Sequence, residues 1–173
     1  MCDLCRNQIP LVQNNTNEAD VFWVGLSAVK VKDKLETPLS STTNSGKLIH
    51  SIEFPFSANV SFYKTNIVKC LPLKDDKIRY PSLSEMKKCY SHLETEIKIF
   101  KPKIIFLLGK QVADFVLNKY DMQASLSEDF NYYTHSFEQH KFIPIHHPSF
   151  ILVYKRKKLS NYLQGIENII NNI

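Results

Sequence analysis

Apolar residues in this chain follow two patterns, short uninterrupted runs and longer stretches with helical spacing. Four segments rich in apolar or β-branched residues predict strands, at residues 21–25, 61–68, 103–109 and 142–145. Uninterrupted apolar runs of this length are typical of strands that are buried on both faces, as in parallel sheets. The strand pattern therefore favours a mainly parallel sheet with both faces covered.

Helices are predicted between these strands and after the last of them. A capping box formed by Ser82 and Glu85 begins a long amphipathic helix that ends near residue 100. Further helices are expected at residues 46–53, from about residue 109 to 117, and in the tail from about residue 159. Strands that alternate with helices predict a three-layer α/β/α fold with a short, mainly parallel central sheet, formed by a single domain over residues 1–173.

The connections that follow the predicted strands indicate where a ligand would bind. In sheets of this kind, ligands bind beyond the carboxyl ends of the strands. Three connections leave such ends, beginning at Gly25, Asn66 and His147, and we expect them to converge on one crevice. The first of them is polar and without a clear period over residues 26–45, a length that suggests a functional loop.

The composition narrows the class of protein. Of the 173 residues, 43% are hydrophobic and 23% are charged, which is ordinary for a globular domain. Only four glycines occur, too few for the glycine-rich loops that cradle nucleotide phosphates, so enzymes of that kind are disfavoured. No apolar run approaches the about 18 residues of a membrane span, and the first residues lack the apolar core of a signal peptide. We therefore expect a cytoplasmic monomer with no membrane partner.

The charge of the chain is modest but unevenly distributed. The formal net charge is +5, and four consecutive basic residues contribute to it, namely Lys155, Arg156, Lys157 and Lys158. A run of this kind suits a polyanionic partner such as DNA. The alternative is an ordinary solvated face, which most lysine runs form.

Four cysteines are arranged as two pairs, Cys2 with Cys5 and Cys70 with Cys89. A reducing compartment argues against structural disulfides, and the same cysteines are then more naturally metal ligands. Two separate segments could bring thiolates to one metal centre. The alternative is that Cys70 and Cys89 are small buried apolar residues.

Residues 65–70, Thr-Asn-Ile-Val-Lys-Cys, resemble a motif of the iron–sulfur uracil-DNA glycosylases, often called family 4. Further features of that family occur in the same order: the N-terminal Cys-x-x-Cys, a strand ending in Gly25, the Lys-Pro-Lys-Ile-Ile segment at 101–105, and His-Pro-Ser at 147–149. The resemblance covers about residues 1–155. It implies the fold of that superfamily and activity as a base-excision DNA repair enzyme, a hydrolase that cleaves the N-glycosidic bond of uracil or another deaminated base.

The same resemblance implies roles for individual residues. A [4Fe–4S] cluster would be held by the four cysteines, Cys2, Cys5, Cys70 and Cys89, although zinc would also accept four thiolates. Asn66 would recognise the Watson–Crick edge of the extruded base. His147, rather than its neighbour His146, would hydrogen-bond uracil O2 and stabilise the developing negative charge.

The segment after His-Pro-Ser is expected to contact DNA. Extruding a base costs a few kcal/mol, which wedge side chains and phosphate contacts must offset. Phe150, Ile151 and Leu152 could supply the wedge, and the basic run 155–158 could bind phosphates. The alternative for these apolar residues is the buried start of a helix.

The first motif of the chain departs from the family pattern. Family 4 has Gly-Glu-Ala-Pro-Gly where this chain has Gly-Leu-Ser-Ala-Val, so Leu26 replaces a carboxylate, as it does in the related family 5. Gly25, Leu26 and Ser27 are still expected to line the base site. Leu39 occupies the place of an aromatic residue that stacks on uracil. Asp33 is the nearest carboxylate and is the candidate to orient the attacking water; the alternative is an ordinary loop charge.

These departures leave other functions open. A divergent protein of the same fold could bind DNA or a base with weak or no catalysis, and Leu26 and Leu39 favour that reading. A small zinc protein with a coincidental His-Pro-Ser is a third possibility. Residues 74–77 are interpreted as an insertion, because the spacing between Cys70 and Cys89 is longer than usual for the family.

Overall fold

The structure is a computed structural model, and it describes residues 19–30 and 36–173. The strands are β1 Val21–Ser27, β2 Phe62–Val68, β3 Leu73–Lys74, β4 Lys77–Ile78, β5 Ile104–Leu108, β6 His135–Phe137 and β7 His140–Ile145. The α-helices are α1 Asn44–Glu53, α2 Leu83–Phe100, α3 Lys110–Leu117, α4 Pro148–Tyr154 and α5 Leu159–Ile170. Short 3₁₀ helices cover Phe54–Phe56, Asn118–Tyr120 and Arg156–Lys158.

The central sheet has five strands in the order β2-β1-β5-β7-β6. The first four strands run parallel, and β6 pairs antiparallel with β7 at one edge. Strands β3 and β4 form a separate hairpin after β2. The prediction of an α/β fold with a short, mainly parallel sheet is confirmed.

Helices cover both faces of the sheet. Phe22 and Val24 of β1 pack in one core cluster, with apolar side chains of α2 and α3. Val21 and Trp23 pack in a second cluster, with side chains of α1, α4 and α5. Successive residues of β1 therefore point into opposite layers, as expected of a strand with two buried faces. All five residues of β5 are likewise buried.

Helix α2 begins where the sequence predicts. The Ser82 hydroxyl accepts a hydrogen bond from the Glu85 backbone N–H at 3.3 Å, and the Glu85 carboxylate accepts one from the Ser82 N–H at 2.7 Å. The helix ends at Phe100 and is capped by Lys101, which has a left-handed conformation with φ of 49° and donates its backbone N–H to the Ile97 carbonyl. Both ends of α2 are thus satisfied by local hydrogen bonds.

Three elements are absent from the main sequence-based prediction. They are the edge strand β6, the hairpin β3–β4, which contains the proposed insertion at 74–77, and helix α4, which the sequence analysis gives only as the alternative for the residues after His-Pro-Ser. Each is short, between two and seven residues, so periodicity gives little signal. Within residues 19–30 and 36–173, no helix has both the length and the apolar character needed to cross a membrane.

Candidate functional site

A cavity of about 870 Å³ opens at the carboxyl edge of the sheet. Gly25, Asn66 and His147 all line it, so the three connections predicted to converge do so. Further lining comes from the loop that precedes α1, from the end of β5 and the start of α3, from the segment that runs from Ile78 to Tyr80, and from α4. The position agrees with the general rule for ligand sites in parallel sheets.

Gly25 and Asn66 are register partners on β1 and β2. A Cβ atom placed on Gly25 would overlap Oδ1 of Asn66, so a larger residue at position 25 would displace that amide. Asn66 is 6% exposed, and within the described part of the chain its side-chain amide has no hydrogen-bond partner. Buried polar groups are normally paired, so an amide in this position is available to a ligand in the cavity.

His147 is the N-cap of α4, and this position fixes the tautomer of its ring. The backbone N–H of Ser149 donates to Nδ1 at 3.2 Å, and the Ser149 hydroxyl lies 2.8 Å from the same nitrogen. Because a backbone N–H can only donate, Nδ1 carries no proton, and the neutral ring has its proton on Nε2. Burial lowers the pKa of His147, so the neutral form is favoured. The ring can therefore donate one hydrogen bond from Nε2.

The neighbouring His146 lies outside the cavity lining. Its Nδ1 is 3.1 Å from the Tyr132 hydroxyl, and its ring stacks on Phe150 with centroids 5.5 Å apart. The buried Tyr162 hydroxyl donates to the His146 carbonyl at 3.1 Å. These contacts hold the turn that carries His147. They also show that His146 has a structural environment, whereas His147 lines the cavity.

The loop that precedes α1 supplies the third side of the cavity, including Leu39, which has a left-handed conformation with φ of 54°. The Thr43 hydroxyl donates to the Ser40 carbonyl at 3.0 Å and accepts from the Gly46 N–H at 3.0 Å. A Cβ on Gly46 would overlap the Ser40 carbonyl, so close packing of helix on loop requires glycine there. Leu26 and Ser27, at the end of β1, also line the cavity.

The candidate water-orienting residue Asp33 lies outside the described residues. Among the described residues that line the cavity, Glu36 is the only carboxylate. The Thr42 hydroxyl donates to its Oε2 at 3.2 Å. Leu26 lines the cavity where a carboxylate is usual in family 4, so Glu36 is the described acidic group available to the site.

Helix α4 corrects one prediction. Ile151 is fully buried, 0% exposed, and belongs to the core cluster of α1 and α5. The expectation that Ile151 inserts into DNA is therefore wrong, because its side of the helix faces the core. Phe150 does line the cavity, and the exposed residues Val153 and Tyr154 line it as well, although the sequence analysis did not select them.

The basic run follows α4 and lies beside the cavity rather than in its lining. Lys155 forms an ion pair with Glu128 at 3.1 Å. Arg156, Lys157 and Lys158 form a short 3₁₀ helix and are exposed. Three of the four side chains are thus accessible to a phosphate backbone.

Two of the four cysteines lie in the described part of the chain. Cys70 follows β2 and Cys89 lies on α2, and both are buried in the same core cluster. Cys2 and Cys5 lie outside the described residues. Among the described residues, no three His, Cys, Asp or Glu side chains are grouped to hold a metal ion.

A partly buried ion pair fixes the segment between Asn66 and Cys70. The ammonium of Lys69 lies 2.6 Å from Oε2 of Glu96 on α2, and the Thr65 hydroxyl donates to the same oxygen at 2.8 Å. Burial lowers the pKa of Lys69, and Glu96 opposes that effect. The end of β2 is thereby joined to the helix that carries Cys89.

Comparisons with known proteins agree with this geometry. The family model described as the uracil DNA glycosylase superfamily matches residues 14–170. A type-4 uracil-DNA glycosylase of Archaeoglobus fulgidus is 26% identical over 174 residues, which cover 97% of this chain and 84% of that protein. A type-4 uracil-DNA glycosylase of Sulfurisphaera tokodaii is 29% identical over 104 residues, covering 59% of this chain and 45% of that protein.

The fold is also similar to a solved structure, wild-type SMUG2 of Pedobacter heparinus. The TM-score is 0.62 at 12% sequence identity, with 90% of this chain and 76% of that chain covered. At this identity the likeness shows the fold alone. The names of the two sequence relatives confirm the resemblance to family 4 that the motifs predict. The chain belongs to the uracil DNA glycosylase superfamily.

Proposed function

We propose that the protein is a DNA glycosylase that hydrolyses the N-glycosidic bond of uracil or another deaminated base. The observation that carries this proposal is the meeting of two groups in one cavity: the side-chain amide of Asn66, which has no hydrogen-bond partner among the described residues, and the Nε2–H donor of His147. Family membership and the names of the type-4 relatives support it.

Asn66 is the base-recognising residue in this proposal. A side-chain amide carries both a donor and an acceptor, which match the O4 acceptor and the N3–H donor of uracil. Cytosine presents a donor and an acceptor in the opposite order, so it would leave the amide unpaired. Gly25 makes this recognition possible because it leaves space for Oδ1 of Asn66.

His147 is the catalytic donor. Cleavage of the glycosidic bond leaves negative charge on the departing base, and the Nε2–H of His147 would donate to O2 as that charge develops. Ser149 fixes this tautomer through Nδ1, so the ring need not reorganise during the reaction. The attacking water would be oriented by a carboxylate, with Asp33 as the first candidate and Glu36 as the second.

The remaining lining has supporting roles. Leu26, Ser27 and Leu39 would pack around the base, with weaker stacking than an aromatic residue at position 39 would give. Phe150 would approach the strand that carries the base. Arg156, Lys157 and Lys158 would bind phosphates, with Lys155 in a lesser role because of its ion pair to Glu128.

The four cysteines would hold a [4Fe–4S] cluster. The two buried thiols of Cys70 and Cys89 fit such a group, with Cys2 and Cys5 as the other two ligands. When bound, the cluster links the first residues of the chain covalently to the fold. Cys70→Ala should lose iron and acid-labile sulfide and lower the thermal stability. Stoichiometric zinc without iron or sulfide, after anaerobic purification, would reject the cluster in favour of zinc.

A second candidate function is DNA or base binding with weak or no catalysis. The presence of Leu26 in the cavity lining, where a carboxylate is usual in family 4, favours it. Both candidates use the same cavity and the same recognition by Asn66. They differ only in whether a bound base is released.

The experiment that tests the proposal measures base release from oligonucleotides containing uracil, hypoxanthine or xanthine. Wild-type protein should release at least one of these bases, and Asn66→Ala should weaken selection for it while leaving general DNA affinity nearly unchanged. His92→Ala is a matched control, because His92 is exposed on α2 and away from the cavity. Binding without release of any deaminated base would favour the second candidate.

A further inference from the structure

Two exposed tyrosines lie at the mouth of the cavity. Tyr80 is 78% exposed and Tyr154 is 72% exposed, and both are among the residues that line the cavity. We call them the mouth tyrosines. Neither has a role in recognition of the extruded base, which the buried Asn66 provides. Two large side chains left accessible beside one cavity indicate a binding surface.

The two residues lie on different sides of the mouth. Tyr80 is on the segment between the β3–β4 hairpin and α2. Helix α2 packs against β2. Tyr154 is at the end of α4, which follows β7. Strands β2 and β7 are separated by β1 and β5, so their ends lie three strand spacings apart, about 14 Å.

The backbone that carries Tyr80 is held in place. The guanidinium of Arg79 donates to both carboxylate oxygens of Glu85, at 2.8 and 2.5 Å, and to the Tyr80 carbonyl at 3.0 Å. The Arg79 N–H donates to the Pro72 carbonyl at 3.0 Å. The ion pair with Arg79 lowers the pKa of Glu85 to about 2, so this anchor persists over the working pH range. An exposed ring on a fixed backbone loses little freedom when it binds.

Tyr154 is supported through a series of aromatic rings. Its ring packs on Phe150 with centroids 5.4 Å apart, and Phe150 stacks on His146. The exposed side chains of Arg156, Lys157 and Lys158 follow it directly in the chain. An aromatic ring beside a basic segment is the combination that binds single-stranded nucleic acid, by stacking on bases and by contact with phosphates.

We propose that the mouth tyrosines stack on the two nucleobases that flank the extruded nucleotide, one on each side, so that the preferred substrate is single-stranded or locally unpaired DNA. The inference rests on the proposed function for the cavity itself. Both rings are too exposed to belong to the site of the extruded base. In a duplex the faces of the flanking bases are covered by their neighbours, whereas in an open strand they are free to stack on protein.

The test measures the affinity of the purified full chain for a single-stranded oligonucleotide that contains one 2′-fluoro-arabino-uridine, which resists glycosidic cleavage. Tyr80→Ala and Tyr154→Ala should each weaken binding about tenfold, because a base–aromatic stack contributes on this scale. Tyr80→Phe should retain wild-type affinity. Tyr133→Ala is the matched control, because Tyr133 is also exposed but does not line the cavity.

Oligonucleotides with an abasic nucleotide on one side of the uridine locate each contact. Removal of one flanking base should abolish the effect of Tyr80→Ala, and removal of the other should abolish that of Tyr154→Ala. Unchanged affinity in both alanine variants, equal losses for fully paired DNA, or loss of both effects on removal of the same base would overturn the inference. This binding assay needs no cleavage of the glycosidic bond, so it tests the mouth tyrosines alone. Failure to release any base in the earlier assay would refute the glycosylase function without affecting the result obtained here.

Discussion

The floor and the mouth of the cavity are built in different ways. The floor consists of Gly25, Asn66 and His147 at strand ends, where Asn66 packs against the Gly25 backbone and Ser149 orients the His147 ring. The mouth is formed by the β3–β4 hairpin and the end of α4, and its side chains are largely exposed. Floor residues can therefore determine which base reacts, whereas mouth residues can change with little cost to the fold. Base recognition and catalysis are thus assigned to the floor, and binding of the DNA strand is assigned to the mouth.

Helix α4 carries both a fully buried residue and exposed residues of the mouth, so the energetic contrast between restricted and exposed positions can be tested on one element. Ile151→Ala should lower the free energy of unfolding by about 2–5 kcal/mol, because it leaves a cavity in the core. Val153→Ala, at a residue that is 68% exposed, should change it by less than about 0.5 kcal/mol. Urea denaturation of both variants measures the contrast. Similar losses would mean that α4 has no core-facing side.

The catalytic role of the floor predicts the next largest effect. His147→Ala should lower the single-turnover rate of base release about 100-fold, with little change in DNA affinity, because its hydrogen bond strengthens as charge develops. Rapid-quench measurements with enzyme in excess give the rate, and filter binding gives the affinity. A variant that loses affinity and rate in the same proportion would assign His147 to binding rather than to catalysis.

Gly25 offers a test of the floor that removes no functional group. Gly25→Ala should displace the Asn66 amide and lower the rate of uracil release about tenfold, the loss expected for one misplaced hydrogen-bonding group. Ala58→Gly, at an exposed residue outside the cavity lining, is the control for the mere exchange of alanine and glycine. Combining Gly25→Ala with Asn66→Ala should add little, because both act on one amide. Additive losses would show that Gly25 acts independently.

The smallest predicted effect concerns pH. Burial holds the pKa of His147 below its ordinary value of 6.5, so the neutral ring persists as the pH falls through that value. The acidic limb of the single-turnover rate should therefore have its midpoint below pH 6.5. The unfolded chain takes up its proton near pH 6.5 and the folded chain only at lower pH, so His147 makes the fold less stable across that interval. A midpoint above 6.5 would contradict the neutral-donor assignment.

The secondary-structure elements that the sequence predicts correctly are those with a strong local residue pattern. The five buried residues of β5 and the capping box of α2 are local patterns, and both elements occur where the sequence indicates them. Strand β6 has only three residues at a sheet edge, so no period could be recognised. Ile151 was misassigned because an apolar residue in a seven-residue helix can face the core or the solvent, and packing against α1 and α5 decides which.

The candidate site likewise has one part that the sequence predicts and one part that it does not. The convergence of the three strand ends follows from parallel topology, and it could be predicted before any side chain was placed. The exposure of Tyr80 could not, because it depends on the hairpin and on the ion pair between Arg79 and Glu85. Its only sequence signal is an aromatic residue directly before Pro81, in an otherwise polar segment. Residues of the mouth are specified by tertiary contacts that no short motif encodes.

The central place of β1 has a consequence for how the chain folds. Val21 pairs with Phe62 on one side and with Ile104 on the other. Strand β1 therefore forms its hydrogen bonds with segments that lie about 40 and 80 residues further along the chain. Such non-local pairing is slow, because a long loop must close before any contact stabilises it. During synthesis, β1 cannot pair with β5 until the residues up to Leu108 have left the ribosome. Apolar residues of β1 are then exposed during synthesis, and folding at low chaperone capacity should yield aggregates nucleated there.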